Sequence, residues 1–113
     1  MDKLTKKLLY DIQVSISSIY DYLGNNPDFK VYSGNKMLKR AVERELEIIG
    51  EAVNRILQIN PEVSIESAKR IVGMRNRVIH GYDEIDDEIV WGTIIRHLPR
   101  LKSDVDNLMD SID

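Results

Sequence analysis

The chain has 113 residues, 42% of them hydrophobic and 31% charged, and a formal charge of -3, which predicts a single folded domain over residues 1–113. It contains no cysteine, so disulfides, thiolate metal sites and a cysteine nucleophile are excluded, and we expect a cytoplasmic protein. Its acidity argues against coating of nucleic acid through bulk positive charge, and its uncharged stretches are too short to predict a membrane span.

The first helix is predicted to begin after Asp2, a candidate N-cap, and to stop at Gly24. Turn-forming residues occupy 25–28, and residues 29–34 are compatible with a short helical turn or an ordered loop. The apolar residues of the first helix recur at helical spacing: Leu4, Leu8, Leu9, Ile12, Ile16, Ile19, Tyr20 and Leu23.

A second long helix is predicted from the N-cap candidate Asn35 to Asn60-Pro61, with an apolar stripe from Leu38 to Leu57. Gly50 lies in its interior, where glycine costs about 1 kcal/mol relative to alanine. We therefore expect another helix to approach closely at Gly50.

The third helix is predicted to be capped by Ser64 and to end near His80-Gly81. The second half of the acidic run 83–88 can cap and start a fourth helix, which Pro99 should kink or split. No alternating strand pattern appears. We therefore predict an all-α fold, an antiparallel bundle of four long helices with an optional short fifth one.

Groups able to bind phosphate and move protons are concentrated at the end of the third helix. On an ideal helix Arg75 and His80 are separated by about 7.5 Å along the axis and about 140° around it. They meet only if the helix bends or ends near His80, or if a second chain completes the site. The cluster comprises Arg75, Asn76, Arg77, His80 and Tyr82.

Two interpretations of this cluster are open from the residues alone. In the structural one, Arg75 and Arg77 are solvated cations, His80 is a cap favoured by the helix dipole, and Tyr82 is a half-buried ring. In the functional one, Arg75 binds a phosphate and His80 transfers a proton, as metal-free cleavage of RNA requires.

Other polar residues are weaker candidates for a site. His97 favours an interhelical or surface role, and Glu51 is an ordinary exposed glutamate or an acceptor for the basic cluster. The acidic residues match no EF-hand loop and are better explained by a helix start, so we predict no metal site and no cofactor. These acidic residues are Asp83, Glu84, Asp86, Asp87 and Glu88.

Arg75, His80 and Tyr82 form a spaced motif. Four residues separate the arginine from the histidine, one residue separates the histidine from the tyrosine, and Asn76 follows the arginine. Together with residues 47–52 and Val90-Trp91, this motif resembles the HEPN superfamily, specifically the HepT-like toxins encoded beside minimal nucleotidyltransferase antitoxins. The resemblance covers most of the chain and favours the functional interpretation.

The resemblance implies a homodimeric, metal-independent endoribonuclease, the toxin of a type VII-like toxin-antitoxin system. It implies that His80 is the general acid or base, that Arg75 stabilises charge at phosphorus, and that Asn76 orients the site, with Arg77 as a further RNA-binding cation. The cognate nucleotidyltransferase antitoxin would transfer AMP from ATP to Tyr82. The alternative is a non-catalytic helical module that binds a nucleotidyltransferase, a role that does not require His80.

Overall fold

The computed structural model describes residues 1–79 and 86–111, except for the side chains of 77–79. These ranges contain helices and no strand, which confirms the all-α fold class. No helix within them is long and apolar enough to cross a membrane. The helices are α1 Lys3–Leu23, α2 Phe29–Ser33, α3 Lys36–Ile59, α4 Ala68–Ile79, α5 Asp87–Arg96 and α6 Leu98–Asp110.

The two longest helices begin at the predicted caps. The Asp2 carboxylate accepts a hydrogen bond from the backbone N–H of Thr5 at 2.6 Å, and the Asn35 side chain accepts one from Leu38 at 3.0 Å. Each side chain thereby satisfies an amide that the first turn of its helix leaves unpaired. Gly24 ends α1 with a φ of 76°, a conformation that favours glycine.

The prediction that Ser64 caps the third helix is wrong, because α4 begins at Ala68. The preceding residues are held by contacts with the rest of the protein. Ile65 is buried, and the backbone N–H of Glu66 donates to Asp104 of α6 at 3.0 Å. This bond across the bundle fixes the loop where local capping chemistry alone would have started a helix.

The last part of the chain forms two helices, α5 and α6, which meet at His97. Pro99 lies in the first turn of α6. Amides in the first turn have no partner within the helix, so the missing N–H of proline costs no helical hydrogen bond there. Asp86 caps α5 by accepting a hydrogen bond from the backbone N–H of Glu88 at 2.9 Å, as predicted for the acidic run.

Helices α1 and α3 pack against each other in antiparallel orientation. Asn60, after the end of α3, donates to the Thr5 hydroxyl near the start of α1, whereas Tyr22 at the end of α1 donates to Glu45 in the first half of α3. α6 packs on α1, and α4 packs on α3. The core is formed mainly by Leu9, Ile12, Ile16, Ile19, Leu46, Ile49, Ile56, Ile71, Ile94, Leu98 and Leu101.

The short helix α2 joins α5 to the rest of the bundle. The ring of Tyr32 is fully buried, with its centroid 5.4 Å from that of Trp91 in α5. Burial raises the pKa of Tyr32. Beside this aromatic contact, Lys39 of α3 pairs with Asp87 at the start of α5, with 3.3 Å between nitrogen and oxygen.

Candidate active site

Arg75 lies on α4 at the point where this helix comes closest to α3. A Cβ atom added to Gly50 would overlap the Cβ of Arg75 and lie 3.0 Å from the carbonyl oxygen of Ile71. Only a glycine permits this separation of the two helices. The close approach predicted from the sequence at Gly50 is thereby confirmed, and it identifies α4 as the helix that makes it.

The guanidinium of Arg75 is held by one side-chain hydrogen bond. Its side chain is half-buried, and its Nη1 donates to the Asn76 side-chain oxygen at 2.5 Å. Its Nε is enclosed and has no hydrogen-bond partner among the residues that the structure describes. Met74 and Ile71 on the same helix are buried, which anchors this part of α4 in the core.

The structure brings Arg75 and Asn76 together but does not describe the rest of the predicted cluster. His80 and Tyr82 lie outside the described residues, as do Asp83 and Glu84, and the side chain of Arg77 is also outside them. α4 is helical as far as Ile79, the residue before His80. Arg75 therefore lies within the regular, described part of α4.

Glu51 follows Gly50 on α3 and is exposed, and it makes no hydrogen bond to Arg75. The part of the acidic run that the structure describes serves α5, through the cap at Asp86 and the ion pair of Asp87 with Lys39. Within residues 1–79 and 86–111, no three His, Asp or Glu side chains are grouped to hold a metal ion.

His97 is half-buried at the junction of α5 and α6, and its backbone N–H donates to the Thr93 carbonyl at 2.9 Å. It lines an open groove together with Arg70, Arg96 and Arg100. These residues come from three helices, so no local sequence pattern groups them. The sequence offers only a local signal, since the neighbouring residues Lys69-Arg70 and Arg96-His97 each lie near a helix end.

Residues 12–108 match the family described as ribonuclease HepT-like. The chain belongs to the HepT-like ribonuclease family. This HepT-like chain is 33% identical over 109 residues to a candidate RNase of Methanocaldococcus jannaschii, covering 96% of the chain and 89% of that relative. It is 31% identical over 112 residues to a candidate ribonuclease HepT of Thermococcus cleftensis, covering 96% and 98% respectively. No solved structure matches it significantly.

Family membership confirms the resemblance drawn from the motif at Arg75, His80 and Tyr82. The match includes all of α3 and α4, and so includes the contact of Gly50 with Arg75. In this HepT-like ribonuclease, the motif arginine Arg75 therefore packs against Gly50. Of the described glycines, Gly50 has the closest neighbouring helix.

We expect Gly50→Ala to destabilise the protein by about 1–3 kcal/mol, because the added methyl group must push α4 away from α3. Gly92→Ala in α5 is the matched control, since no described atom lies within 4 Å of its added Cβ. The control should be neutral or stabilising by up to about 1 kcal/mol through helix propensity. Urea unfolding measures both, and equal free energies of unfolding for the two variants would contradict the packing argument.

Proposed function

We propose that this chain is a metal-independent endoribonuclease toxin whose reaction depends on Arg75 and His80. The family membership supports RNA as the substrate. The observation that carries the proposal is the packing of Arg75 on Gly50, which holds a permanent cation one turn before the end of α4. A cation held in this way is prepared to receive a phosphate without first being ordered.

Arg75 supplies charge and orientation. A guanidinium is planar, remains protonated at every relevant pH and can donate two parallel hydrogen bonds to phosphate oxygens. The bond from Nη1 to Asn76 restricts rotation of the guanidinium and so lowers the entropy lost when phosphate binds. Asn76 is therefore assigned a supporting role, and Arg77 the role of a neighbouring RNA-binding cation.

His80 supplies proton transfer. As a general base it removes the proton of the 2′-hydroxyl, whose oxygen attacks the adjacent phosphorus. The bond from phosphorus to the 5′-oxygen breaks, and the leaving oxygen receives a proton from the protonated imidazole. Because the nucleophile is the 2′-hydroxyl, the reaction is restricted to RNA.

The helical geometry of α4 favours a site shared by two protomers. α4 is regular helix as far as Ile79, and an ideal helix continued by one residue would place Arg75 and His80 on faces about 140° apart. A second copy related by a two-fold axis offers the same surface in the opposite orientation. His80 of one protomer can then act beside Arg75 of the other.

The cognate nucleotidyltransferase antitoxin is proposed to silence this site by modifying Tyr82. The Tyr82 hydroxyl oxygen attacks the α-phosphorus of ATP, AMP is attached and pyrophosphate leaves. The added phosphate carries negative charge two residues from His80, where it competes with RNA for Arg75 and fills the cleft. Exposure does not identify the acceptor, because Tyr10 and Tyr22 are both exposed. Tyr82 is assigned because it alone among the tyrosines follows the motif histidine.

His80→Ala should reduce RNA cleavage about 10²- to 10⁴-fold, because a positioned proton-transfer group is lost. Arg75→Ala should abolish measurable cleavage. Arg55 is an exposed arginine of α3, so Arg55→Ala is the matched control and should cleave RNA like the wild type. The assay is cleavage of labelled RNA in EDTA, with thermal melting to check folding. Cleavage by His80→Ala at the wild-type rate would favour the non-catalytic binding module instead.

The chain should form a homodimer at micromolar concentration, because two protomers related by a two-fold axis can bring Arg75 of one copy beside His80 of the other. Sedimentation velocity measures the mass in solution. Mixing His80→Ala with Arg75→Ala should restore part of the cleavage if the site is shared between protomers. A stable monomer that still cleaves RNA would contradict this arrangement.

Tyr82→Phe should produce a toxin that its antitoxin cannot silence by modification, because the ring is kept and the acceptor oxygen is removed. Co-expression with the cognate nucleotidyltransferase, followed by intact-mass and peptide mass spectrometry, locates the AMP group. Tyr10→Phe is the matched control and should still be silenced. Finding AMP only on another tyrosine would refute the assignment of Tyr82.

A further inference from the structure

A second polar feature lies between the start of α4 and the junction of α5 with α6. It is an open groove of about 660 Å³ to which three helices contribute charged side chains. Lys69 and Arg70 belong to α4, Arg96 and His97 stand at the end of α5, and Arg100 belongs to α6.

The lining of this basic groove combines four permanent cations with one carboxylate, that of Glu66. The carboxylate forms an ion pair with Arg100. Lys69, Arg70 and Arg96 are exposed, so their charges face solvent at the groove. Such a concentration of positive charge on an acidic chain repels itself and is favoured when an anion occupies the groove.

Two helix starts add to the same positive potential. α4 begins at Ala68 and α6 at Leu98, and each helix places its N-terminal end beside lining residues of the groove. The first amides of a helix and its dipole favour negative charge. The C-terminal end of α5, at Arg96 and His97, acts in the opposite direction, so the positive potential of the groove depends mainly on its side chains.

The groove also has a boundary. An adjoining hollow of about 240 Å³ shares Arg70, Arg96 and His97 but is additionally lined by Asp86 and Glu88. These two carboxylates repel a phosphate. We therefore expect an anion to bind on the side of the groove that Lys69 and Arg100 line.

We propose that the basic groove binds the sugar-phosphate backbone of an RNA strand, away from the phosphate that is cleaved. This inference rests on the proposed ribonuclease function. Arg70 and Arg75 share α4 but lie about 7.5 Å apart along it and about 140° around it, so the groove is distinct from the Arg75 site.

The chemistry of the lining favours RNA over an acidic protein. Protein interfaces are enriched in tyrosine, tryptophan, phenylalanine, methionine and arginine, and of these the lining of the basic groove contains only arginine. Long lysine and arginine side chains in an open groove instead suit a flexible polyanion, which they contact through its phosphates without reading its sequence.

The test measures binding of the full-length chain to a fluorescent 2′-O-methyl RNA of about 20 nucleotides, which lacks the 2′-hydroxyl nucleophile. The groove variant is Lys69→Gln/Arg96→Gln. The matched control is Lys36→Gln/Arg55→Gln, which removes the same two residue types from exposed positions outside the groove. Fluorescence anisotropy gives Kd at several salt concentrations, and melting curves check that both variants are folded.

The groove variant should raise Kd about tenfold at low salt, and the slope of log K against log salt should become shallower by about 1.4, as expected for two lost phosphate contacts on a single strand. The control should retain the wild-type Kd and slope. Equal Kd values and slopes in the groove and control variants would overturn the proposal, whether both match the wild type or both weaken.

Cleavage of unmodified RNA by the wild-type chain is measured in parallel. It distinguishes a failure of RNA binding at the basic groove from a failure of the proposed ribonuclease function. A wild-type chain that cleaves RNA while the groove variant binds like the control refutes the groove alone and leaves the ribonuclease function standing. A wild-type chain that neither binds nor cleaves RNA refutes both.

Discussion

The contact between Gly50 of α3 and Arg75 of α4 is the constraint on which the site depends. Without a side chain at position 50, the backbone of α3 approaches the Arg75 stem and the Ile71 carbonyl directly. The two helices are thereby fixed in separation and in register. The unfavourable helix propensity of glycine is offset by this packing. As a result, the Cβ and Cγ atoms of Arg75 are fixed against α3.

The remaining helices hold α3 and α4 in place. α3 is supported on one side by α1, through the buried faces of both helices. α5 is attached to the same α3 through the ion pair of Lys39 with Asp87, and to α2 through Tyr32 and Trp91. The described ends of α4 and α5, on either side of residues 80–85, are therefore both tied to α3.

Local sequence chemistry was sufficient for much of this architecture. Helical periodicity and the caps at Asp2 and Asn35 located α1 and α3, and the unfavourable glycine at position 50 revealed a tertiary contact. The predicted cap at Ser64 was wrong because the backbone N–H of Glu66 donates to Asp104 of α6. No local sequence pattern reveals that partner. The basic groove was missed for the same reason, since its cations lie near one another only after three helices have packed.

The placement of positive charge in that groove also bears on the kinetics of encounter. With these cations collected on one side, the rest of the surface is more acidic than the chain as a whole. Such a molecule has a strong electrostatic dipole, which turns an approaching polyanion toward one face and repels it from the others. The association rate with RNA should then depend steeply on ionic strength, and most encounters should already be oriented when contact is made.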